Sequence, residues 1–226
     1  MKSQYTYSFF RVSKTENVNE AAQKYRDLRL RALRTSPGSF ASTYETEAAF
    51  SENEWIDRLT RPGSEIFICA ATPLDDKGTG HDPVEWIGQV TLRGPMSEAD
   101  FALPAESGQS KQDPDAGEEC WQMLSLFTLP EHRGNGLGAK LCQEAVDYLR
   151  TWRSSPQQVH LRLMVKPENH ITVNLYKRLG FSVIGKCTLA EALRAAGDGH
   201  LLPKDTSTAK YSERSGLIMA FYMSRA

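Results

Sequence analysis

Long apolar runs are missing from this 226-residue chain. No stretch approaches the roughly twenty apolar residues that a membrane-spanning helix requires, and residues 1–11 lack the apolar core of a secretion signal. The sequence therefore predicts a soluble, unprocessed, cytoplasmic protein with no membrane partner. Cysteine is scarce: Cys69, Cys120, Cys142 and Cys187 stand far apart, each in or beside an apolar stretch, as buried reduced thiols do. None has zinc-ligand spacing and the five histidines are scattered, so no metal site is expected. An excess of one charge is absent too. With 27 Lys plus Arg against 28 Asp plus Glu the formal net charge is -1, which gives no support to nucleic-acid binding. Partners have to be argued from local sites, and nothing in the chain encodes an oligomeric state.

What is present suffices for one sizeable core, with 40% of residues hydrophobic and 24% charged. A single domain over 1–226 is expected, with loop insertions at about 73–83, 94–119 and 197–215 that are rich in turn-forming and charged residues. A short strand is expected at 9–12, then a helix over 19–34. Its apolar face is Ala21, Tyr25, Leu28 and Ala32; Arg26, Arg29, Arg31 and Arg34 read as the solvated face. Ser51, with Glu54 three residues later, is a capping box that opens a second helix ending near 59. Strands follow at 65–72, almost continuously apolar, and at 86–93. Residues 121–129 alternate as a central strand, 137–154 carry a helix, and 159–166 return as a strand parallel to the first through a right-handed crossover. Asn169 can cap a further helix with the stripe Ile171, Leu175 and Leu179, ended by Gly180 in a left-handed position. A strand at 181–186, a helix at 189–196 and a last strand at 216–223 complete the chain.

Between the central strand and its helix lies Arg133-Gly134-Asn135-Gly136-Leu137-Gly138-Ala139. Glycine accepts positive φ and lets backbone approach a ligand, and the helix that follows offers unpaired N–H groups to an anion. The turn thus points to a phosphate-bearing cofactor. Gly134, Gly136 and Ala139 also satisfy the G-x-G-x-x-A form of a dinucleotide fingerprint, which keeps a nicotinamide oxidoreductase as an alternative. Three features weigh against it. The turn sits mid-chain after two helices, Arg133 precedes it, and no acidic residue stands at a strand end about twenty residues on; the chain has Arg153-Ser154-Ser155-Pro156 there instead.

Ser125-Leu126-Phe127-Thr128, Pro130 to Gly138, and the segment from Asn169 through Tyr176 to Gly180-Phe181 together resemble the two signature motifs of the GCN5-related N-acetyltransferases (GNAT). More weakly, Tyr25 to Leu33 with Ser36-Pro37 is similar to that family's two-helix opening. The resemblance implies an α+β domain, a mixed, mostly antiparallel and splayed central sheet with helices on both faces. It implies transfer of an acetyl group from the cosubstrate acetyl-CoA to a primary amine, whether a small amine, a peptide N-terminus or a lysine. Leu126, Phe127 and Thr128 would pair through their backbone with the pantetheine arm. Arg133, Gly134, Asn135, Gly136, Leu137, Gly138 and Ala139 would grip the pyrophosphate through their amides, Asn169 would bond the cofactor, and Tyr176 would protonate the departing thiolate.

Spacing adds independent support. Seven helical residues leave Asn169 and Tyr176 on one face, roughly 10 Å apart along the axis, and a phenol of ordinary pKa about 10 suits a proton donor to a thiolate. The plainer readings are that Tyr176 packs beside Leu179 and Phe181 and that Asn169 is only a cap. The chain departs from the family where many relatives carry an acidic base: Gln122 and Met164 stand at those positions. Glu118, Glu119, His160 and His170 are the nearby titratable residues, and solvent can instead take the amine's proton. The missing base keeps a non-catalytic acyl-CoA-binding module as a second alternative.

Overall fold

The computed structural model describes residues 4–74, 84–110 and 117–225, so the expected insertion at 73–83 falls almost wholly outside the described residues. Among the described residues seven strands form one sheet in the order β1-β2-β3-β4-β5-β7-β6. The chain divides into two compact units, the first made of Met1–Pro37, Thr43–Thr91 and Ser125–Val146, the second of Gly38–Ser42, Leu92–Leu124 and Asp147–Ala226.

In the first unit β1 (Tyr5–Arg11) lies antiparallel to β2 (Ser64–Pro73), in register from Tyr5↔Pro73 to Arg11↔Phe67. β1 is longer than the expected strand at 9–12. Between these strands run α1 (Val18–Thr35), α2 (Tyr44–Ala48) and α3 (Glu52–Thr60). The Ser51–Glu54 capping box forms as its spacing predicts, with the Ser51 amide donating to Glu54 at 2.7 Å. It sets α3 so that Trp55, 1% exposed, meets the rings of Tyr25 and Phe50 at centroid distances of 6.0 and 5.6 Å. Burial of one such indole contributes about 2–3 kcal/mol. α2 was not expected, because five residues are too few to show a helical period.

The arginine face of α1 needs one correction. Arg29 is buried, and its guanidinium forks onto Glu47 of α2 at 2.9 and 2.7 Å, while Arg58 of α3 reaches the same carboxylate at 3.2 Å. Arg31, by contrast, stays exposed and pairs with Glu85 and Glu131. Four residues separate Tyr25 from Arg29, so the helical period that buries the ring buries the guanidinium as well.

Three elements contribute residues to both units: β3 (Glu85–Met96), β4 (Glu118–Thr128) and α5 (Leu137–Thr151). The second unit adds β5 (Gln158–Val165), α6 (His170–Arg178), β6 (Ser182–Cys187), α7 (Leu189–Ala196) and β7 (Gly216–Ser224). β4 and β5 are parallel from Glu118↔Gln158 to Met123↔Leu163, the predicted crossover pair, whereas β5–β7 and β6–β7 are antiparallel. The sheet is mostly antiparallel, as expected.

Of the expected insertion at 94–119, residues 111–116 lie outside the described residues and the remainder is only partly a loop. β3 continues to Met96, and a short α4 (Glu98–Phe101) and a 3-10 turn at Ala105–Ser107 follow. Phe101 is fully buried and Gln109 nearly so, although the composition of this stretch reads as a surface excursion. The stretch 197–215 likewise holds a 3-10 turn (Gly199–Leu201) and α8 (Ala209–Ser212). α6 buries Val173 and Tyr176, and Ile171 of the expected stripe is 83% exposed. Among the described residues no helix is long and apolar enough to cross a membrane. The four cysteines are free and buried.

Candidate active site

The glycine turn belongs to the first unit and is solvent-exposed from Arg133 to Gly136. Gly134 and Gly136 take φ 85 and 73, while Gly138 lies inside the first turn of α5 with helical backbone. The amides flanking the turn are engaged: Arg133 donates to Pro130 O at 3.1 Å and Ala139 to Gly136 O at 3.1 Å. Among the described residues, the amides of Gly134, Asn135, Gly136, Leu137 and Gly138 donate to no backbone acceptor. α5 carries no acidic residue in its first turn, so the positive end of its dipole is not neutralised from within. Such a row of amides at a helix N-terminus has the form that suits an anion.

Side chains hold the turn open. Asn135 Nδ2 donates to His132 O at 3.0 Å, Arg133 Nε to Thr128 O at 3.0 Å, and the Arg133 guanidinium stands 5.6 Å from the Phe127 ring centroid. Buried His132 is fixed by the Tyr7 hydroxyl, 3.3 Å from its Nδ1, and by the edge of Tyr5. His132 is thus a strut under the turn.

Upstream on β4, Phe127 is buried, and Leu126 and Thr128 are half-buried. The strand stays tied to β3 as far as the bond from Leu129 N to Ile87 O at 2.8 Å. It also packs tightly there: a Cβ on Gly88 would stand 3.1 Å from Leu141 Cδ1, Phe127 O and Thr128 Cγ2. Its register with β5, however, stops at Met123↔Leu163, and Ser125 adopts φ 58, in the left-handed region.

In the second unit Asn169 caps α6, Oδ1 accepting from Thr172 N at 3.3 Å. The Nδ2 group has no partner among the described residues, so capping leaves Asn169 a donor to spend on a ligand. Tyr176 is 6% exposed with its ring centroid 5.6 Å from that of Phe181. Its carbonyl accepts from Phe181 N at 3.0 Å, and Gly180 at φ 95 makes the left-handed exit that the sequence predicts.

Two titratable residues near β4, Glu119 and His160, are committed to structure, whereas Glu118 keeps 28% of its side chain exposed with its Oε2 3.8 Å from His160 Nδ1. Glu119, 3% exposed, accepts from Trp121 Nε1 at 2.6 Å and Trp152 Nε1 at 3.1 Å, and pairs with Arg225 and Arg153. His160 is buried against Phe101 and Tyr222, and burial, aided by the nearby Arg162 charge, lowers its pKa to about 4. A neutral, weakly basic imidazole is a poor acceptor for an ammonium proton. Gln122 Oε1 accepts from Arg162 Nε at 2.7 Å, so this position presents a carboxamide locked to a buried guanidinium. Burial pushes the Cys142 thiol up to about 12, leaving it un-ionised and without nucleophilic power at neutral pH. Sequence reasoning overlooked Arg29, Gln89 and the bend at Ser125; only the four-residue spacing from Tyr25 signals the first.

The chain matches the acetyltransferase (GNAT) family over residues 30–181. It belongs to that family, whose cosubstrate is acetyl-CoA. Among solved structures it is similar to Arabidopsis thaliana NAA60 in complex with acetyl-CoA, at 16% identity and TM-score 0.51 over 96% of this chain and 98% of that one. The same protein in complex with a bisubstrate analogue matches at 15% identity and TM-score 0.51, covering 96% and 99%. A GNAT-family acetyltransferase from Streptococcus pneumoniae matches at 12% identity and TM-score 0.54, covering 96% and 99%. These likenesses establish the shared fold. Comparison with curated protein sequences found no significant match.

Proposed function

We propose that this protein is a single-domain cytoplasmic enzyme that transfers the acetyl group of acetyl-CoA directly to a primary amine. The observation that carries this reading is the row of unengaged amides from Gly134 to Gly138 at the head of α5, which suits the cofactor's pyrophosphate. In this reading the backbone of Leu126, Phe127 and Thr128 pairs with the pantetheine amides as an added strand would. Arg133 and Ala139 close the two ends of the cradle, and Asn169 gives its remaining Nδ2 donor to the cofactor.

The neutral amine attacks the thioester carbonyl, a backbone amide stabilises the oxyanion, and collapse breaks the C–S bond and expels the CoA thiolate, which takes the Tyr176 proton; the proton that the acylated nitrogen then sheds passes through solvent and restores the Tyr176 phenol. Solvent removes the proton of the ammonium before attack, since Gln122 and Met164 offer no base. Small amines, peptide N-termini and lysines are the acceptor classes to be tried.

Release of CoA thiol is assayed over a panel of a polyamine, a peptide with a free N-terminus and an N-acetylated lysine peptide. The best acceptor is then used with Tyr176→Phe, for which kcat falls about tenfold to hundredfold while the Kd for acetyl-CoA holds. Unchanged kcat would remove Tyr176 from the acid role. Tight acetyl-CoA binding without turnover on any amine favours the binding module, and thermal stabilisation by NAD(P) alone favours the oxidoreductase.

A further inference from the structure

Ser125 is a non-glycine residue at φ 58 in the middle of a strand. A left-handed backbone costs an L-residue about 1–2 kcal/mol, and such strain persists only where the surroundings over-determine it. The surroundings here are specific. Gln89 of β3, fully buried, donates from Nε2 to Ser125 O at 3.3 Å, and Arg29 of α1 donates from Nη1 to Ser125 Oγ at 3.4 Å. Arg29 is itself held by Glu47 of α2, and Glu47 by Arg58 of α3. Side chains from four elements thus converge, directly or through one another, on one strained residue.

Gln89 is not there for stability. Its Oε1 is buried without a hydrogen-bond partner among the described residues, and a half-satisfied buried amide costs more than an apolar side chain of the same shape. What it does supply is a donor aimed at the peptide where β4 changes course. Before that peptide β4 keeps step with β5 to Met123↔Leu163; after it come Leu126, Phe127 and Thr128, still bonded to β3 through Leu129 N and Ile87 O. A left-handed residue reorients the peptide groups that follow it, as a bulge does.

We infer that Gln89 and the Arg29–Glu47–Arg58 network form a clamp that holds Ser125 left-handed, and that they are positioning residues for the backbone of Leu126, Phe127 and Thr128. The clamp rests on the acetyl-CoA reading given above. It makes the affinity for the pantetheine arm a property of side chains that never touch the cofactor.

Gln89→Met is nearly isosteric and removes the donor together with the orphaned oxygen. Its Tm should hold or rise, while calorimetric titration with acetyl-CoA should show Kd raised about fivefold, the worth of one net hydrogen bond. Adding Ser125→Gly, which adopts positive φ at no steric cost, should return Kd to within about twofold of wild type. A purely structural Gln89 gives no such rescue. Wild-type affinity in Gln89→Met, or a loss that Ser125→Gly leaves in place, overturns the clamp alone. A wild-type protein that fails to bind acetyl-CoA at all overturns both the clamp and the reading beneath it.

Discussion

Replacing Gly134 and Gly136 by alanine separates the conformational demand of the turn from its packing. Both residues have positive φ, 85 and 73, and a Cβ built on either meets no atom within 4 Å. The substitution is therefore sterically free and conformationally costly, by about 1–2 kcal/mol per site. Where that cost falls depends on whether the free protein needs the turn's shape. The turn is exposed and, among the described residues, its inner amides donate to no backbone acceptor, so the unliganded alanine variants can relax it at small expense. A pyrophosphate gripped by those amides needs the original shape, and the full cost then appears in binding. Each variant should raise the Kd for acetyl-CoA about 5- to 30-fold, at about 1.4 kcal/mol per tenfold. Tm without ligand should drop by no more than about 2 °C. Calorimetric titration beside a melting curve measures both. Gly88→Ala is the contrasting control: its φ is unremarkable, but its Cβ would press on Leu141, Phe127 O and Thr128 at 3.1 Å, so it should lose stability. An unchanged Kd for both turn variants, or a large Tm loss without ligand, would refute the assignment of the turn as a pyrophosphate cradle.

Two further outcomes concern the second unit. His160, held near pKa 4 by burial and by Arg162, with Glu118 Oε2 3.8 Å away and Tyr222 beside it, is neutral when folded. Unfolding restores its ordinary pKa near 6.5, so the unfolded chain gains the proton first. Stability is full above pH 6.5 and falls as pH drops toward 4, by at most about 3 kcal/mol. Denaturant melts of wild type and His160→Phe should therefore diverge over that window, and parallel curves would discount the buried imidazole. Glu119→Gln leaves the fully buried Arg225 guanidinium without its countercharge and should lower stability by about 3 kcal/mol or more, near 6–12 °C in Tm for a chain of this size. A loss under about 1 kcal/mol would mean that the pair contributes little.

Local periodicity made most of the fold legible. The Ser51–Glu54 box, the alternation of 121–129 and 159–166, and Gly180 after α6 are signals whose cause lies within a few residues, and each formed as its chemistry requires. The turn was legible for the same reason, because a glycine's tolerance of positive φ is its own property. What stayed hidden depends on partners far along the chain. Arg29 looks like a solvated arginine until Glu47 is known to face it, and Gln109 looks like loop until Arg162 Nη1 is found bonding its Oε1 at 2.8 Å. Ile171 misled in the opposite direction: an apolar residue at the expected spacing, left 83% exposed because α6 turns Val173 and Tyr176 inward. The left-handed Ser125 had no signal at all, since serine has no preference that announces it.

The departure at Gln122 bears on where catalytic power has to come from. Arg162 is fully buried, its acceptors are the neutral Gln122 Oε1, Gln109 Oε1 and Phe101 O, and burial lowers its pKa to about 10. A carboxylate at 122 would form a buried ion pair with this guanidinium, and the pairing would pull its pKa down and make it a poorer base. Glutamine is therefore the residue that satisfies Arg162 without adding a charge, and restoring an acid there would not restore a base. In the proposed mechanism, where solvent takes the amine's proton, general-base assistance worth about 10²–10⁴ is forgone. The rate in that mechanism rests on holding a neutral amine against the thioester, a term that can reach about 7–11 kcal/mol when geometry is right. On the proposed reading the backbone from Ser125 to Gly138 would do more than bind the cofactor. By fixing where the thioester lies it would set the reaction rate, so errors of position there should appear in kcat as well as in affinity.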